Sequence, residues 1–374
     1  MFRVAVLLIA VSAPVAALAQ EAGGTQGFTV APIAAGLDHP WGIVVLPDGA
    51  MLVTERRGSL RLVSPEGQIG EPIDGVPEVV ARGQGGLLDI TLDPKFADNR
   101  LVYLSFSESG TGGNSTAVAR GKLAGDNRSL DNVEVIFSQK PKVKSNMHFG
   151  SRIVFDREGR IYVGLGERSH ERFRTQAQDL NSHLGKVVRL NDDGSVPKDN
   201  PFVGKTGALP EIWSYGHRNI QAAALNPDTG KLWTIEHGPM GGDEINIPKP
   251  GANYGWPIVS YGVNYSGTPV GSGKTDAPGF EDPIYTWTPV IAPSGMIFYS
   301  GKAFPDWKGD LFVGGLAAAA LVHLDLDGEK VIGEERLLTD LGMRIRDVAE
   351  TAEGDILVIT DEDNGKILKI TPAD

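Results

Sequence analysis

The residues of this sequence that could do chemistry are a scattered set of His, Arg and acidic side chains. His148, in the segment NMHFGSR, directly precedes an apolar run typical of a strand. Histidine titrates near neutral pH and can serve as a general base, although a lone histidine often has only a structural role. The sequence contains no GxSxG nucleophile motif, no Gly-rich phosphate loop and no HExxH helix.

Oxygen-rich residues are concentrated between Glu236 and Pro257. Asp243 and Glu244 adjoin a Gly-rich turn whose backbone carbonyls are free to act as ligands. Calcium takes about six to eight oxygen ligands of this mixed kind. The segment therefore indicates either a calcium site or two acids that cap a turn and face solvent.

Three arginines form the last group of candidates, namely Arg218 in SYGHRN and Arg344 with Arg346 in RIRD. Alternate residues of a strand point the same way, so the side chains of Arg344 and Arg346 share one face. Each guanidinium can hold a carboxylate through two parallel hydrogen bonds. The pair suits a polycarboxylate ligand, and the alternative is a strand face that is simply exposed to water.

The elements that must position these residues repeat along the chain. One pattern recurs six times: an apolar strand, a turn containing Gly with Pro or Asp, and a second apolar strand. Such repetition predicts an all-β, six-bladed β-propeller with long functional loops on one face, whereas an irregular β-sandwich gives no reason for it. The copies begin at Trp41, Leu87, Ser151, Ile220, Ser294 and Ile345.

Segments outside the repeats have predicted roles of their own. The stretch from Phe28 to Ala35 can supply a strand that closes the last blade against the first. Two long stretches, Ser169 to Glu211 and Gly238 to Pro289, are rich in Trp, Tyr and Asn. Loops of that length in a compact domain are usually functional, so we expect the site on them.

The amino terminus and the composition define the compartment and exclude some partners. Residues 1–19, an Arg followed by a short apolar run and small residues, predict a signal peptide for export to the periplasm, and residues 20–374 the propeller domain. The rest of the sequence contains no run of about 18 apolar residues, the length needed to span a membrane. With a net charge of −12, nucleic acid is not expected as a partner. The absence of cysteine excludes disulfides.

Nine segments taken together resemble a known family, the soluble aldose sugar dehydrogenases that depend on pyrroloquinoline quinone (PQQ). They belong to the glucose/sorbosone dehydrogenase group and are related to soluble glucose dehydrogenase. The resemblance covers nearly the whole mature chain and implies oxidation of an aldose at its anomeric carbon to a lactone, with PQQ and Ca²⁺ as cofactors. In order, the segments are HPWGIVVLPDG, GQGGLLDITLDP, HFGSR, AQDLNSHLGKVVRL, DNPF, EIWSYGHRN, EHGPMGGDEIN, NYGWP and RIRDV.

The resemblance also implies roles for individual residues. His148 would be the general base that takes the proton from the anomeric hydroxyl. Arg218 and Asn219 would lie by the quinone oxygens, with Arg218 stabilising the charge that develops there. Gln84 would hydrogen-bond the cofactor.

Metal ligands are implied in the same way. The backbone oxygens of Gly238 and Pro239 would bind a calcium that also contacts the quinone. Glu244 and the carbonyl of Tyr254, with Asp243, would bind a second, structural calcium.

The resemblance implies further cofactor contacts, and the sequence departs from the family at two positions. Arg344 and Arg346 would hold the cofactor carboxylates, and Tyr265 would lie near the cofactor or pack within its loop. Ala317 stands where relatives have a lysine that contacts the cofactor, which removes a charge-assisted contact worth about 1.5–3 kcal/mol. Met147 replaces the acid that precedes the base in the glucose dehydrogenase branch.

Two other classes of function fit a propeller of this kind. One is a calcium-dependent lactonase, in which the metal activates water, and the other is a non-catalytic propeller that binds a glycan or a protein. The Arg pair and Gln84 favour the dehydrogenase, because hydrolysis needs no carboxylate clamp. Its partners would be an aldose and a periplasmic electron acceptor, and the chain would act as a monomer or homodimer.

Overall fold

A computed structural model describes residues 27–373 of the protein. They form six four-stranded antiparallel sheets. The first strands of neighbouring sheets contact each other all the way round, and the sixth sheet contacts the first. The predicted six-bladed β-propeller is therefore confirmed. The predicted signal peptide, residues 1–19, lies outside the described residues.

The four strands of each blade follow one another from the axis to the rim, except that β1 belongs to the last blade. Blades 1 to 3 contain β2 (Pro40–Val45), β3 (Met51–Glu55), β4 (Ser59–Val63) and β5 (Ile69–Pro72); β6 (Leu87–Leu92), β7 (Leu101–Gly110), β8 (Gly113–Leu123) and β9 (Leu130–Ser138); and β10 (Gly150–Phe155), β11 (Ile161–Leu165), β12 (Lys186–Leu190) and β13 (Ile212–Tyr215). Blades 4 to 6 contain β14 (Ile220–Leu225), β15 (Leu232–Glu236), β16 (Asp243–Asn246) and β17 (Tyr285–Trp287); β18 (Pro293–Phe298), β19 (Leu311–Gly315), β20 (Ala320–Asp327) and β21 (Lys330–Leu337); and β22 (Ile345–Glu350), β23 (Ile356–Thr360), β24 (Gly365–Pro372) and β1 (Phe28–Leu37).

The second strand of most blades is apolar on both faces because it packs between two neighbouring blades. MLVTE in β3, IYVGL in β11, LWTIE in β15 and ILVIT in β23 are buried at every position. Such continuous runs of apolar and β-branched residues are typical of strands covered on both sides. Most of the core therefore lies between the blades.

The ring is closed by the first strand of the chain. β1 pairs with β24 in antiparallel register, from Phe28 opposite Pro372 to Leu37 opposite Gly365. The predicted closing segment is thus correct and extends two residues further. This pairing ties the two ends of the propeller together in one sheet.

Helical structure is short everywhere in residues 27–373. None of the helices there is long and apolar enough to cross a membrane. The α-helices are α1 (Phe96–Asn99) and α2 (Glu171–Arg174), and the 3₁₀ turns are Thr175–Gln178, Pro305–Trp307 and Thr339–Leu341.

A buried ion cluster joins the inner strands at the axis. One guanidinium nitrogen of Arg152 lies 2.8 Å from the carboxylate of Asp89 and 3.0 Å from that of Asp347. The second oxygen of Asp89 accepts a hydrogen bond from the Ile153 amide (2.7 Å), and that of Asp347 accepts one from the Ile43 amide (3.0 Å). Blades 1, 2, 3 and 6 are therefore connected through one cation.

The cluster of Asp89, Arg152 and Asp347, called the hub below, is closely packed. A Cβ atom at Gly295 would lie 1.7 Å from the carboxylate of Asp347, so only glycine leaves space for that side chain. Burial raises the pKa of Asp89 to about 6, although Arg152 opposes the shift. The cation thus keeps two desolvated acids compatible with one another.

Replacing Arg152 by Met tests the role of this cluster. The substitution keeps an unbranched apolar stem but leaves Asp89 and Asp347 buried without their cation. We expect the free energy of unfolding to fall by about 3–5 kcal/mol, measured by urea denaturation. Arg160→Met, which removes a cation bonded to Asp156 near the surface, is the control and should cost far less. Equal losses in the two variants would contradict a special role for the hub.

Candidate functional site

A cavity lies at the end of the propeller axis where the inner strands begin. Every blade contributes to it. The base of the cavity includes Trp41, whose ring lies 4.4 Å from the guanidinium carbon of Arg152 in the hub cluster. The lining consists of Trp41, Arg56, Gln84, Leu88, Phe149, Gly150, Ser151, Asn219, Gln221, His237, Ala292, Leu316, Arg344, Arg346 and Asp361.

Two of the lining arginines share one carboxylate. Arg346 is buried and donates to Asp361 at 2.8 Å, while the half-exposed Arg344 donates to the same oxygen at 3.3 Å. Burial would raise the pKa of Asp361, but the two arginines outweigh it and lower the pKa to about 2. Both guanidinium groups thus lie on the cavity side, as the alternation of the strand predicts.

The lining carries an excess of positive charge. A third guanidinium, that of Arg56, reaches the cavity from the end of β3, and Asp361 is the only acid in the lining. The Nε atom of Arg346 is buried without a hydrogen-bond partner among the described residues. Ala317 stands at the position where the family resemblance implies a lysine. It is exposed, and its amide donates to the Ile291 carbonyl at 2.9 Å. An anionic ligand would satisfy such a cavity.

His148 lies beside this cavity and is held in one tautomer. Its Nδ1 atom lies 3.1 Å from a carboxylate oxygen of Glu167, and its backbone amide donates to the Gln84 side chain at 2.7 Å. Because the carboxylate accepts the Nδ1 proton, Nε2 carries the free lone pair. Burial and then Arg218 lower the pKa of His148, while Glu167 opposes them. The imidazole is thus arranged as a neutral base.

Asn219 and Arg218 are about 70 residues after His148 in the sequence, but the fold brings both close to the same cavity. The Asn219 side-chain oxygen accepts a hydrogen bond from the Gly150 amide (3.1 Å), and Asn219 lines the cavity. Arg218 is buried just behind the lining and donates to the His237 carbonyl at 2.9 Å. Its Nε atom also has no partner among the described residues.

Asp243 organises the turn that contains Gly238 and Pro239. One carboxylate oxygen accepts the Gly238 amide (2.8 Å), and the other accepts the amides of Ile291 and Ala292 (both 2.8 Å). Burial raises the pKa of Asp243 to about 6 against the effect of these hydrogen bonds. The carboxylate therefore ties the Gly238 turn to the start of blade 5.

Glu244 faces the other side of the same strand and meets a second acid there. In the sheet it stands directly opposite Glu236. Asn246 donates to both carboxylates (3.1 and 3.4 Å), yet its own side-chain oxygen is buried without a partner among the described residues. Tyr254 stacks on His217, which bonds Glu236 at 2.8 Å. Burial and then Glu236 raise the pKa of Glu244, the situation a bound cation would relieve.

The structure does not bring every predicted residue to the cavity. Tyr265 is 76% exposed and lies outside the lining described above. Exposure to this degree gives no support to the alternative, a tyrosine packed within its loop, and the predicted place of Tyr265 near the cofactor stays a prediction. Met147 is also exposed, next to the buried His148.

Sequence reasoning missed several residues of the site. Glu167 follows the end of β11, and Arg56 and Asp361 follow the ends of β3 and β23 in the same way. His237 follows β15 and donates from Nε2 to the Pro293 carbonyl (2.6 Å). The shared signal is a polar residue one or two positions after the second strand of a blade.

Comparison with known proteins identifies the family. The model of the family described as Glucose / Sorbosone dehydrogenase matches residues 37–369. The chain belongs to this family. It is 46% identical over 339 residues to the aldose sugar dehydrogenase YliI of Escherichia coli strain K12, covering 90% of this chain and 91% of that protein. The resemblance stated from the sequence is confirmed.

Solved structures of this family have the same propeller. A crystal structure of a glucose dehydrogenase is 49% identical and superposes with a TM-score of 0.90, covering 92% of this chain and 100% of that one. The PQQ-bound form of the aldose sugar dehydrogenase from Streptomyces coelicolor is 27% identical with a TM-score of 0.75, covering 95% of this chain and 100% of that one.

Proposed function

We propose that the protein oxidises aldoses at the anomeric carbon to lactones, with PQQ and Ca²⁺ as cofactors. The observation that carries the proposal is the arginine-lined cavity beside the paired His148 and Glu167. A carboxylate-rich ligand suits the arginines, and a neutral imidazole suits proton removal from a hydroxyl. The names of the relatives, an aldose sugar dehydrogenase and a PQQ-bound one, agree with both.

The cavity residues fit PQQ, which carries three carboxylates. Arg344, Arg346 and Arg56 would bind these groups, and Arg56 would replace the cation lost at Ala317. The unpartnered Nε of Arg346 is a donor that such a ligand would satisfy. Gln84 keeps its amide N–H groups for the ligand, because only its oxygen is used by His148.

Two groups of oxygen atoms fit calcium. The carbonyls of Gly238 and Pro239 accept no hydrogen bond from the described residues, in a turn fixed by Asp243. We assign the second calcium to Glu244 and the Tyr254 carbonyl, with Asp243 acting on the Gly238 turn instead. In the second group the free oxygen of Asn246 supports a cation between the two acids.

The residues of this chain account for the proton and the developing charge. Nε2 of His148 removes the proton of the anomeric hydroxyl, and Glu167 stabilises the imidazolium that forms. When bound, PQQ supplies the quinone that accepts the hydride from the anomeric carbon, which completes the two-electron oxidation to the lactone. Arg218 and Asn219 provide positive charge and hydrogen bonds on that side of the cavity.

The compartment and partners follow from the same proposal. The N-terminal segment up to Ala19 would export the chain to the periplasm, where an electron acceptor would reoxidise the cofactor. The chain would act on a free aldose as a monomer or homodimer. A calcium-dependent lactonase remains the main competing proposal, and it needs neither the arginines nor the quinone.

Reconstitution distinguishes the two enzymes. Purified apoprotein is mixed with PQQ and Ca²⁺ and assayed for aldose-dependent reduction of a dye, with hydrolysis of a lactone measured in parallel. We expect dye reduction only when both cofactors are added, because none of the lining side chains can accept a hydride from the sugar. Lactone hydrolysis without PQQ, and no dye reduction with it, would replace the proposal by the lactonase.

His148→Gln should abolish most of the turnover. We expect kcat to fall by roughly 10²–10⁴-fold, since a general base contributes about that much, while PQQ still binds. In the native protein, kcat/KM should rise with pH as His148 loses its proton. Because its pKa is lowered from 6.5, this rise should be complete near neutral pH. His170→Gln, at the exposed start of α2, is the control, and full activity of His148→Gln would remove the proposed base.

The two clamp arginines should contribute unequally. Arg346→Gln removes a buried charged donor, so PQQ affinity should fall by a factor of about 10 to 100, corresponding to about 1.5–3 kcal/mol. Arg344→Gln should cost less because that side chain is 52% exposed. Quenching of protein fluorescence on titration with PQQ measures both. Arg336→Gln, in the exposed β21, is the control. If Arg346→Gln bound PQQ as tightly as Arg336→Gln does, the proposed clamp would be contradicted.

A further inference from the structure

Arg168 is a buried cation that the mechanism above does not use. Its side chain is fully buried next to Glu167, and no carboxylate lies within ion-pairing distance of it among residues 27–373. Burial lowers the pKa of Arg168 to about 9, with Glu167 opposing the shift. A charged group is costly to bury without an acid partner, so its contacts must have another use.

Those contacts are directed at the segment that carries His148. Arg168 donates from Nε to the Met147 carbonyl (3.0 Å) and from Nη2 to the Ser145 carbonyl. Its guanidinium carbon lies 3.7 Å from the centre of the Phe149 ring, which lines the cavity. Three of the residues that surround His148 in sequence are thus held by one side chain.

Arg168 also bonds a residue of the neighbouring blade 2, and the loop donates a hydrogen bond back to the Arg168 backbone. Nη2 of Arg168 also donates to the Asn114 side-chain oxygen at 2.6 Å, at the start of β8. The Ser145 hydroxyl in turn donates to the Arg168 carbonyl at 2.6 Å. A planar guanidinium can make these hydrogen bonds and stack on a ring at once, whereas an ammonium cannot.

The segment needs such support because its backbone is strained. His148 has a φ of +51°, a conformation that residues other than glycine rarely adopt. From the other side, the loop of Gln84 also holds the segment, through the His148 amide and through the Asn146 carbonyl, which accepts the Gln84 amide at 2.8 Å. The Thr116 hydroxyl donates to the Phe149 carbonyl at 2.6 Å. Strained residues persist where the surroundings over-determine them.

We propose that Arg168 is a positioning residue, which fixes residues 145–149 so that the His148 imidazole stays aligned between Glu167 and the cavity. The inference deepens the proposed function and rests on His148 being the base. Arg168 contacts neither cofactor nor substrate in this proposal. It acts through Met147, Ser145 and Phe149.

The first test follows the loop in the apoprotein, so it does not depend on the reaction. Hydrogen exchange is measured by mass spectrometry in Arg168→Lys, which keeps the charge but loses the planar donors. We expect peptides covering 143–149 to exchange at least about tenfold faster than in the native protein, and blade strands to be unchanged. Arg189→Lys is the matched control, since Arg189 is also buried, bonds Asn200 (2.7 Å) and stacks on Trp213 (4.3 Å) far along the same blade.

The second test separates alignment from general stability. In the reconstituted enzyme, Arg168→Lys should lower kcat by roughly 10²-fold with PQQ affinity changed less than about threefold, because a small misplacement of a catalytic group has a cost of that order. Arg168→Met also removes a cation that lowers the pKa of His148, so the acid limb of its pH profile should move to higher pH. The Lys variant should keep the limb in place.

The outcomes are distinct for the two proposals. Unchanged exchange in residues 143–149, or a kcat equal to that of Arg189→Lys, would overturn the positioning role. The Arg168→Lys variant could exchange faster in residues 143–149 while the native protein shows no PQQ-dependent activity. That result would support the positioning role and contradict the proposed function. If the Arg168 variants fail to fold, Asn114→Ala removes the oxygen that accepts from Arg168, together with a long 3.4 Å hydrogen bond to the Asn146 side chain. It should give the same changes on a smaller scale, and native behaviour in that variant would count against the proposal.

Discussion

The arrangement of the whole molecule depends on the ion cluster of Asp89, Arg152 and Asp347. One guanidinium is shared by acids from two blades while it also donates to the Gln221 carbonyl of a third (2.7 Å). A ring of six sheets has no central element to pack against, so its inner strands must be joined by their own side chains. The same guanidinium supports Trp41 at the base of the cavity. The closure of the ring and the shape of the site therefore have a common cause.

Polar groups that stay unpaired in this site are informative because burial makes them costly. The Nε atoms of Arg218 and Arg346 are buried donors without partners among the described residues, each worth about 1–3 kcal/mol of desolvation. A fold that carries such groups next to one cavity gains affinity when an acceptor arrives. Under the proposed function, part of the binding free energy of an anionic cofactor comes from hydrogen bonds to these donors, which have no partner before it binds.

The fold could be predicted further than the site because its signals are local. Each hairpin is encoded within some twenty residues, and even the closing strand β1 was recognisable. Gln84, Asn219, Arg344 and Arg346 were placed in the lining through motifs of the family. Glu167, Arg56 and Asp361 were missed, since each acts on a partner from another blade or segment and no spacing along the chain records that contact. Tyr265 shows the reverse case, an aromatic residue in a recognised loop that the structure leaves exposed.

The strand β16 explains why two adjacent acids were hard to assign. Side chains of a strand alternate between its faces, so Asp243 and Glu244 cannot serve one small site together. Only the sheet register, with Glu244 opposite Glu236, decides which face each acid takes. Asp243 then fixes the Gly238 turn at the cavity, while Glu244 faces the cluster that fits a cation. A cation bound there would remove the repulsion between Glu236 of β15 and Glu244 of β16, the two strands that flank the turn, and would in this way stabilise the cavity from behind.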